Sequence, residues 1–167
     1  QGVLLREEIK GDQTLLIEMV FVIDNKEGDL VPFFPNEAQK IIREEYRQCK
    51  RQNKPFRALV LKGRQQGISS YITALQLAIG ITTTNFQGYT VADEDNSTNN
   101  LFEKAKSYYS PLPDVLKPTE KYNNRKEFRW AKDDGQGMNS SWGVSTAGNT
   151  SRDGRVGNSF TIHFLHA

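Results

Sequence analysis

Within nine residues, Lys62-Gly63-Arg64-Gln65-Gln66-Gly67-Ile68-Ser69-Ser70 places two glycines, two cations and two adjacent hydroxyls. Together these residue types bind phosphate. Glycines let a turn bring backbone N–H groups close to an anion, and a helix starting after the turn points its unpaired N–H groups at the same place. A serine hydroxyl at that helix start is suited to ligate Mg²⁺. The usual pattern is Gly, four residues, then Gly-Lys-Ser/Thr. Gly67 and Ser69 fit that frame, whereas Ile68 stands at the lysine position and Lys62 at the first glycine position. Lys62 and Arg64 are the cations available to replace the lysine. The plainer alternative is a strand–turn–helix connection in which the glycines only turn the chain.

Such a loop needs a strand before it and a helix after it. Ala58 to Leu61 predicts a short buried strand. Ser69 to Ile79 predicts a helix with Ile72, Leu75, Ala78 and Ile79 on one side, ended by Gly80 and the run Thr82 to Asn85. Upstream, the β-branched and apolar residues over 14–23 predict a strand, followed by a turn from Asn25 to Gly28. A helix starts near Pro35 or Asn36, with Asn36 as its cap and Ala38, Ile41, Ile42 and Tyr46 at helical spacing. Its other face carries Lys40, Arg43, Arg47, Lys50 and Arg51, which reads as a solvated surface in preference to a DNA track.

Downstream, Tyr89 to Ala92 predicts a strand, and Asp95 or Ser97 caps a helix that buries Leu101, Phe102, Ala105 and Tyr108. Three prolines between Pro111 and Glu120 exclude regular structure there. Glu127 to Trp130, Ser141 to Ser145 and Phe160 to Leu165 predict short strands. Strands alternating with helices imply a parallel sheet with right-handed crossovers, its ligand at the carboxyl ends of the strands. The 62–69 loop sits at such an end. Asp93-Glu94-Asp95 is also there, where acids serve the helix dipole or help to hold Mg²⁺. His163 and His166 point to opposite faces of a strand and do not form a joint metal site. Arg155, in a polar Gly-rich loop, is either solvated or available to a nucleotide or neighbouring subunit.

Composition sets bounds. The 167 residues suit one domain, and a formal net charge of +2 is too small to announce nucleic-acid binding. The single cysteine, Cys49, excludes an intramolecular disulfide and points to a reducing compartment. No 18-residue apolar run is present, so no membrane partner is expected.

The run from Lys62 to Ile72 resembles the variant Walker A loop of the large terminase subunits of tailed phages and prophages, the ATP-driven motors that package DNA into proheads. Some of these carry the lysine at the front of the loop, as Lys62 is here. Other segments are similar in the same order. Leu30 to Gln39 resembles the family's Pro-Phe and Asn-x-x-Gln stretch. Asn100 to Lys104 with Tyr108 to Pro113 resembles the helix and Pro-containing loop after its second core strand. Ser145 to Asn149 with Gly154 to Gly157 resembles the Thr-Ala-Gly and Gly-Arg-Gly stretch before its Walker B strand. The resemblance covers roughly residues 20–167.

The resemblance implies an α/β fold with a P-loop NTPase core of the RecA/ASCE-like kind: a mainly parallel sheet flanked by helices, incomplete at the C-terminus. Residues 1–34 form a lead-in, and 35–167 form a partial ATPase domain without the nuclease domain. ATP and Mg²⁺ are the implied cofactors. The implied nucleotide-binding residues are Gln39, Lys62, Gly63, Arg64, Gln65, Gln66, Gly67, Ile68, Ser69 and Ser70. Arg64 is the catalytic candidate, Ser69 the metal ligand and Gln39 the adenine reader, with an exposed helix residue as the alternative for Gln39. Phe160 to Leu165 resembles the Walker B strand, and its acid is expected just past Ala167, so a fragment ending there binds nucleotide but hydrolyses it poorly. Double-stranded DNA, a portal protein, a small terminase subunit and further copies of the chain are the implied partners, in the host cytoplasm. The alternative is a non-catalytic α/β phage module whose glycine loop is only a packing turn.

Overall fold

The computed structural model describes residues 8–25, 27–63, 65–92, 94–123, 127–131 and 138–146. A helical turn over residues 8–11 leads into α1 (Gln13–Met19). Next come β1 (Val22–Asp24), β2 (Leu30–Pro32), α2 (Glu37–Arg51), α3 (Ile68–Thr82), β3 (Gln87–Ala92) and α4 (Asp95–Tyr109). A 3₁₀ turn (Asp114–Leu116) precedes β4 (Glu120–Asn123), β5 (Glu127–Trp130) and β6 (Ser141–Thr146). No helix of the described residues is long and apolar enough to cross a membrane.

The sheet runs in the order β3-β6-β5-β4. β3 and β6 are parallel, while β6–β5 and β5–β4 are antiparallel, so the architecture is mixed α/β. This corrects the expected mainly parallel sheet over these strands: β4 and β5 come from a hairpin, which reverses direction by construction. Alternate residues of β3 and β5 are buried, the period expected where one face is covered and the other only partly so. The covering layer is α3 and α4. Trp142 of β6 stacks on Phe102 of α4 at 6.0 Å, and Phe128 of β5 meets Phe102 at 5.0 Å and Tyr109 at 5.2 Å. One polar cluster is locked inside: Thr90 Oγ1 donates to Gln76 Oε1 at 2.7 Å, and Trp142 Nε1 donates to the same oxygen at 3.1 Å.

Gly80 lies inside α3 and does not end it. A Cβ there would come within 2.8 Å of the Trp130 ring, so the glycine serves close helix–sheet approach. The expected 14–23 strand is also corrected. Asp12 caps residues 13–19 as a helix through its carboxylate, accepting from the Thr14 N–H at 3.0 Å, and only Val22 to Asp24 extend. The cap and the burial of Leu16 and Ile17 on one helix side override the β-branched composition. β1 and β2 form a hairpin whose turn is closed by Asn25 Oδ1, accepting from the N–H groups of Glu27 at 3.0 Å and Asp29 at 2.8 Å. Phe21 and Phe33 at its base pack on Tyr108 and Tyr71, so the described part of the lead-in shares the main core.

The strand expected over Ala58 to Leu61 does not form. Residues 54–63 carry no regular secondary structure, and the side chains of Leu59 and Leu61 are fully exposed. A four-residue strand has no stability of its own without an edge to pair with, and none of the described strands pairs with it. Phe160 to Leu165 lies outside the described residues.

Candidate phosphate loop at the start of α3

Gly67 is the N-cap of α3, with φ 70° and ψ 7°, and no side chain caps the helix there. Gln65 also has a positive φ, 60°, so the chain turns sharply just before α3. Among the described residues, no backbone N–H from Gln65 to Ser70 donates to a backbone carbonyl. For the first turn of α3 this is inherent in helix geometry, which leaves the leading N–H groups without an intrahelical acceptor. The partial positive charge of the helix start lies at the same place.

The loop is held from behind by the cap of α2. Asn36 and Gln39 form a capping box: the Asn36 side chain accepts from the Gln39 N–H at 3.0 Å, and Gln39 Oε1 accepts from the Asn36 N–H at 2.9 Å. The remaining donors of both side chains reach the loop. Asn36 Nδ2 donates to the Gln66 carbonyl at 3.2 Å, and Gln39 Nε2 to the Gly67 carbonyl at 2.8 Å. Gln39 is 4% exposed, which corrects the exposed-helix alternative. A Cβ on Gly67 would lie 2.7 Å from Gln39 Nε2, so the left-handed turn and the clamp both require glycine.

The other loop residues divide by exposure. Ile68, at the position usual for lysine, is 3% exposed and belongs to the core. Gly63, Gln65 and Gln66 are exposed, while Lys62, Ser69 and Ser70 are half-buried. Arg64 lies outside the described residues, as do Asp93, Arg155, His163 and His166.

Lys104 is one neighbour that sequence reasoning did not connect to the loop. From the middle of α4 its Nζ donates to Ser70 Oγ at 3.0 Å. Lys104 is exposed, but partial desolvation of its ammonium beside α3, and then the positive charge of Lys62, hold it below the ordinary lysine value. Its position four residues before buried Tyr108 and three after buried Leu101 places it beside the buried stripe of α4. That spacing was legible, but which loop it faces depends on how α4 packs on α3. Tyr108 closes the same corner, and burial pushes its phenol up to about 12.

Three cations of the basic face of α2, Arg43, Arg47 and Lys50, are used inside the molecule. Arg43 Nη1 donates to Glu18 Oε1 at 3.0 Å, and Arg47 Nε donates to Asp12 Oδ2 at 2.7 Å. Lys50 Nζ donates to Gln13 Oε1 at 2.5 Å and to the Gly11 carbonyl at 2.9 Å. These contacts tie α2 to α1 and reduce the field that a DNA track would need. Ile41, expected on the buried stripe, is 68% exposed, whereas Ile42 and Tyr46 are buried. Asp95 lies in the first turn of α4, and its carboxylate accepts from the Thr146 hydroxyl. Among the described residues, no group of three or more His, Cys, Asp or Glu side chains is arranged to hold a metal ion.

Comparison with protein-family models finds no match. Comparison with curated proteins likewise finds none.

Proposed function

We propose that the chain binds a nucleoside triphosphate at the 62–70 loop and is the ATPase part of a viral DNA-packaging motor of the large-terminase type. The observation that carries this reading is that, among the described residues, no backbone carbonyl takes the N–H groups from Gln65 to Ser70, which lie at and just before the start of α3, turned by the left-handed Gly67 and clamped by Asn36 and Gln39. Preorganised amides at a helix start suit phosphate oxygens because the dipoles need no reorientation when the anion arrives. Lys62 adds charge, and Arg64 is the candidate to stabilise a transferring phosphoryl group. The donor set fits a nucleotide, and the Ser69 hydroxyl would hold Mg²⁺, which supplies charge neutralisation of the phosphates when bound. Ile68 contributes packing and no charge. Double-stranded DNA, a portal protein, a small terminase subunit, further copies of the chain and a host-cytoplasm setting belong to the same proposal.

The test is ligand-linked stability. ATP with Mg²⁺ at about a hundredfold excess over Kd stabilises the fold by roughly 2.7 kcal/mol. We expect a rise in Tm with ATP, a smaller one with ADP and none with adenosine. No shift with millimolar ATP removes the nucleotide reading. Phosphate release stimulated by double-stranded DNA then separates a packaging motor from another ATPase.

One observation favours a second reading. The segment leading into the loop forms no strand, and Leu59 and Leu61 are exposed. Under this reading the protein is a non-catalytic α/β binding module, and Gly67 is a glycine only because the chain must turn against Gln39.

A further inference from the structure

We propose that Lys104 is an anion-binding residue of the 62–70 loop, bringing from α4 the positive charge that the Gly67-Ile68-Ser69 sequence lacks; this rests on the nucleotide reading above.

The geometry supporting it is local. Lys104 Nζ lies 3.0 Å from Ser70 Oγ, at the third residue of α3 and next to Ser69. Its bonding partner is a neutral hydroxyl, whereas Lys106, two residues on, pairs with Glu103 at 3.3 Å. Lys62 lies close enough to repel it. An anion held at the start of α3 beside the Lys104 ammonium would offset that repulsion. The usual lysine of such loops follows the second glycine, but here that position is Ile68, 3% exposed in the core. A cation arriving from a neighbouring helix restores the charge while leaving the core packing of Ile68 in place. The long lysine stem suits this, because its head can leave Ser70 for a phosphate oxygen by rotation about side-chain bonds. Ser70 is then a resting partner that holds the ammonium near the loop before the anion binds.

The experiment measures binding of inorganic tripolyphosphate and of ATP with Mg²⁺ to the whole chain by calorimetry. Lys104→Gln is compared with Lys104→Arg and with Lys106→Gln, a control for net charge on the same helix. Loss of a charge-assisted phosphate contact weakens binding roughly tenfold to a hundredfold. We expect Lys104→Gln to show that loss for both ligands, Lys104→Arg to recover most of it, and Lys106→Gln to match the wild type. Protection of amines in the wild-type chain gives a second readout that needs no variant to fold. Tripolyphosphate should slow acetylation of Lys104 several-fold relative to Lys106. Wild-type binding with equal affinity in Lys104→Gln, or unprotected Lys104 in a chain that binds, overturns the role of Lys104 and leaves the nucleotide reading standing. A wild-type chain that binds neither ligand overturns both.

Discussion

The two flanks of the 62–70 loop are built on opposite principles. On the helix side every constraint is local or doubly held. α3 makes its own backbone ladder, its start is fixed by Gly67, and Asn36 and Gln39 bond to the loop carbonyls while capping α2. On the strand side, residues 54–63 run without regular structure, and Leu59 and Leu61 face solvent. A helix satisfies its N–H and C=O groups within one segment, whereas a strand can do so only against a second strand. A phosphate loop draws on both, with the helix supplying the donors and the strand anchoring the approach. In the phosphate loop proposed here, the N–H groups at the start of α3 would be those donors, and α2 rather than a strand anchors the approach.

The difference can be broken most forcefully on the buried side. Trp142 is fully buried, stacked on Phe102 and bonded to Gln76 of α3. Trp142→Ala should cost about 3–5 kcal/mol, measured as a fall in the urea midpoint at constant slope. A loss under about 1 kcal/mol would mean that α3 is not held by the sheet.

Next in size is the turn. Gly67→Ala places a side chain at φ 70° and 2.7 Å from Gln39 Nε2, a strain of about 1–3 kcal/mol. If the proposed nucleotide site is present, it should also weaken ATP binding, since the N–H groups behind it shift. Gln39→Ala in the same chain relieves the clash but not the positive φ. A double-mutant cycle should therefore show partial rescue of stability, and complete additivity would separate the clamp from the turn.

Asn36→Ala removes a capping-box side chain and its bond to the Gln66 carbonyl. The expected cost is about 1 kcal/mol in thermal or urea unfolding. A similar change at Ser97, inside α4, should cost less.

The smallest effect sharpens the contrast on the other flank. Leu61→Ala and Leu59→Ala should each fall within about 0.5 kcal/mol of wild type, because these side chains bury nothing. A loss of 2 kcal/mol or more, the cost of truncating a core leucine, would show that the segment is packed in solution and that the strand side is as built as the helix side.

Much of this could be read in the residues, and the readable part shares one cause. The Asn36 cap, the Asn25–Gly28 turn, the α4 stripe of Leu101, Phe102, Ala105 and Tyr108, and the β5 and β6 segments each carry their signal within one segment, as a capping or turn side chain or the period of the apolar residues, although the two strands complete their bonds only against distant partners. The sequence also determined that the lysine is absent from its usual place and that Gly67 and Ser69 keep theirs. Tertiary structure alone decided the rest. It made Gly80 a point of contact with Trp130 where the sequence suggested a helix end. It turned the basic face of α2 onto Glu18 and Asp12, and it brought Lys104 to Ser70 across 34 positions of chain. It also left Ala58 to Leu61 without a strand partner among the described residues. A strand's pairing and a long side chain's partner are set by which segments meet in space, and neither an apolar run nor the spacing of charges specifies that meeting.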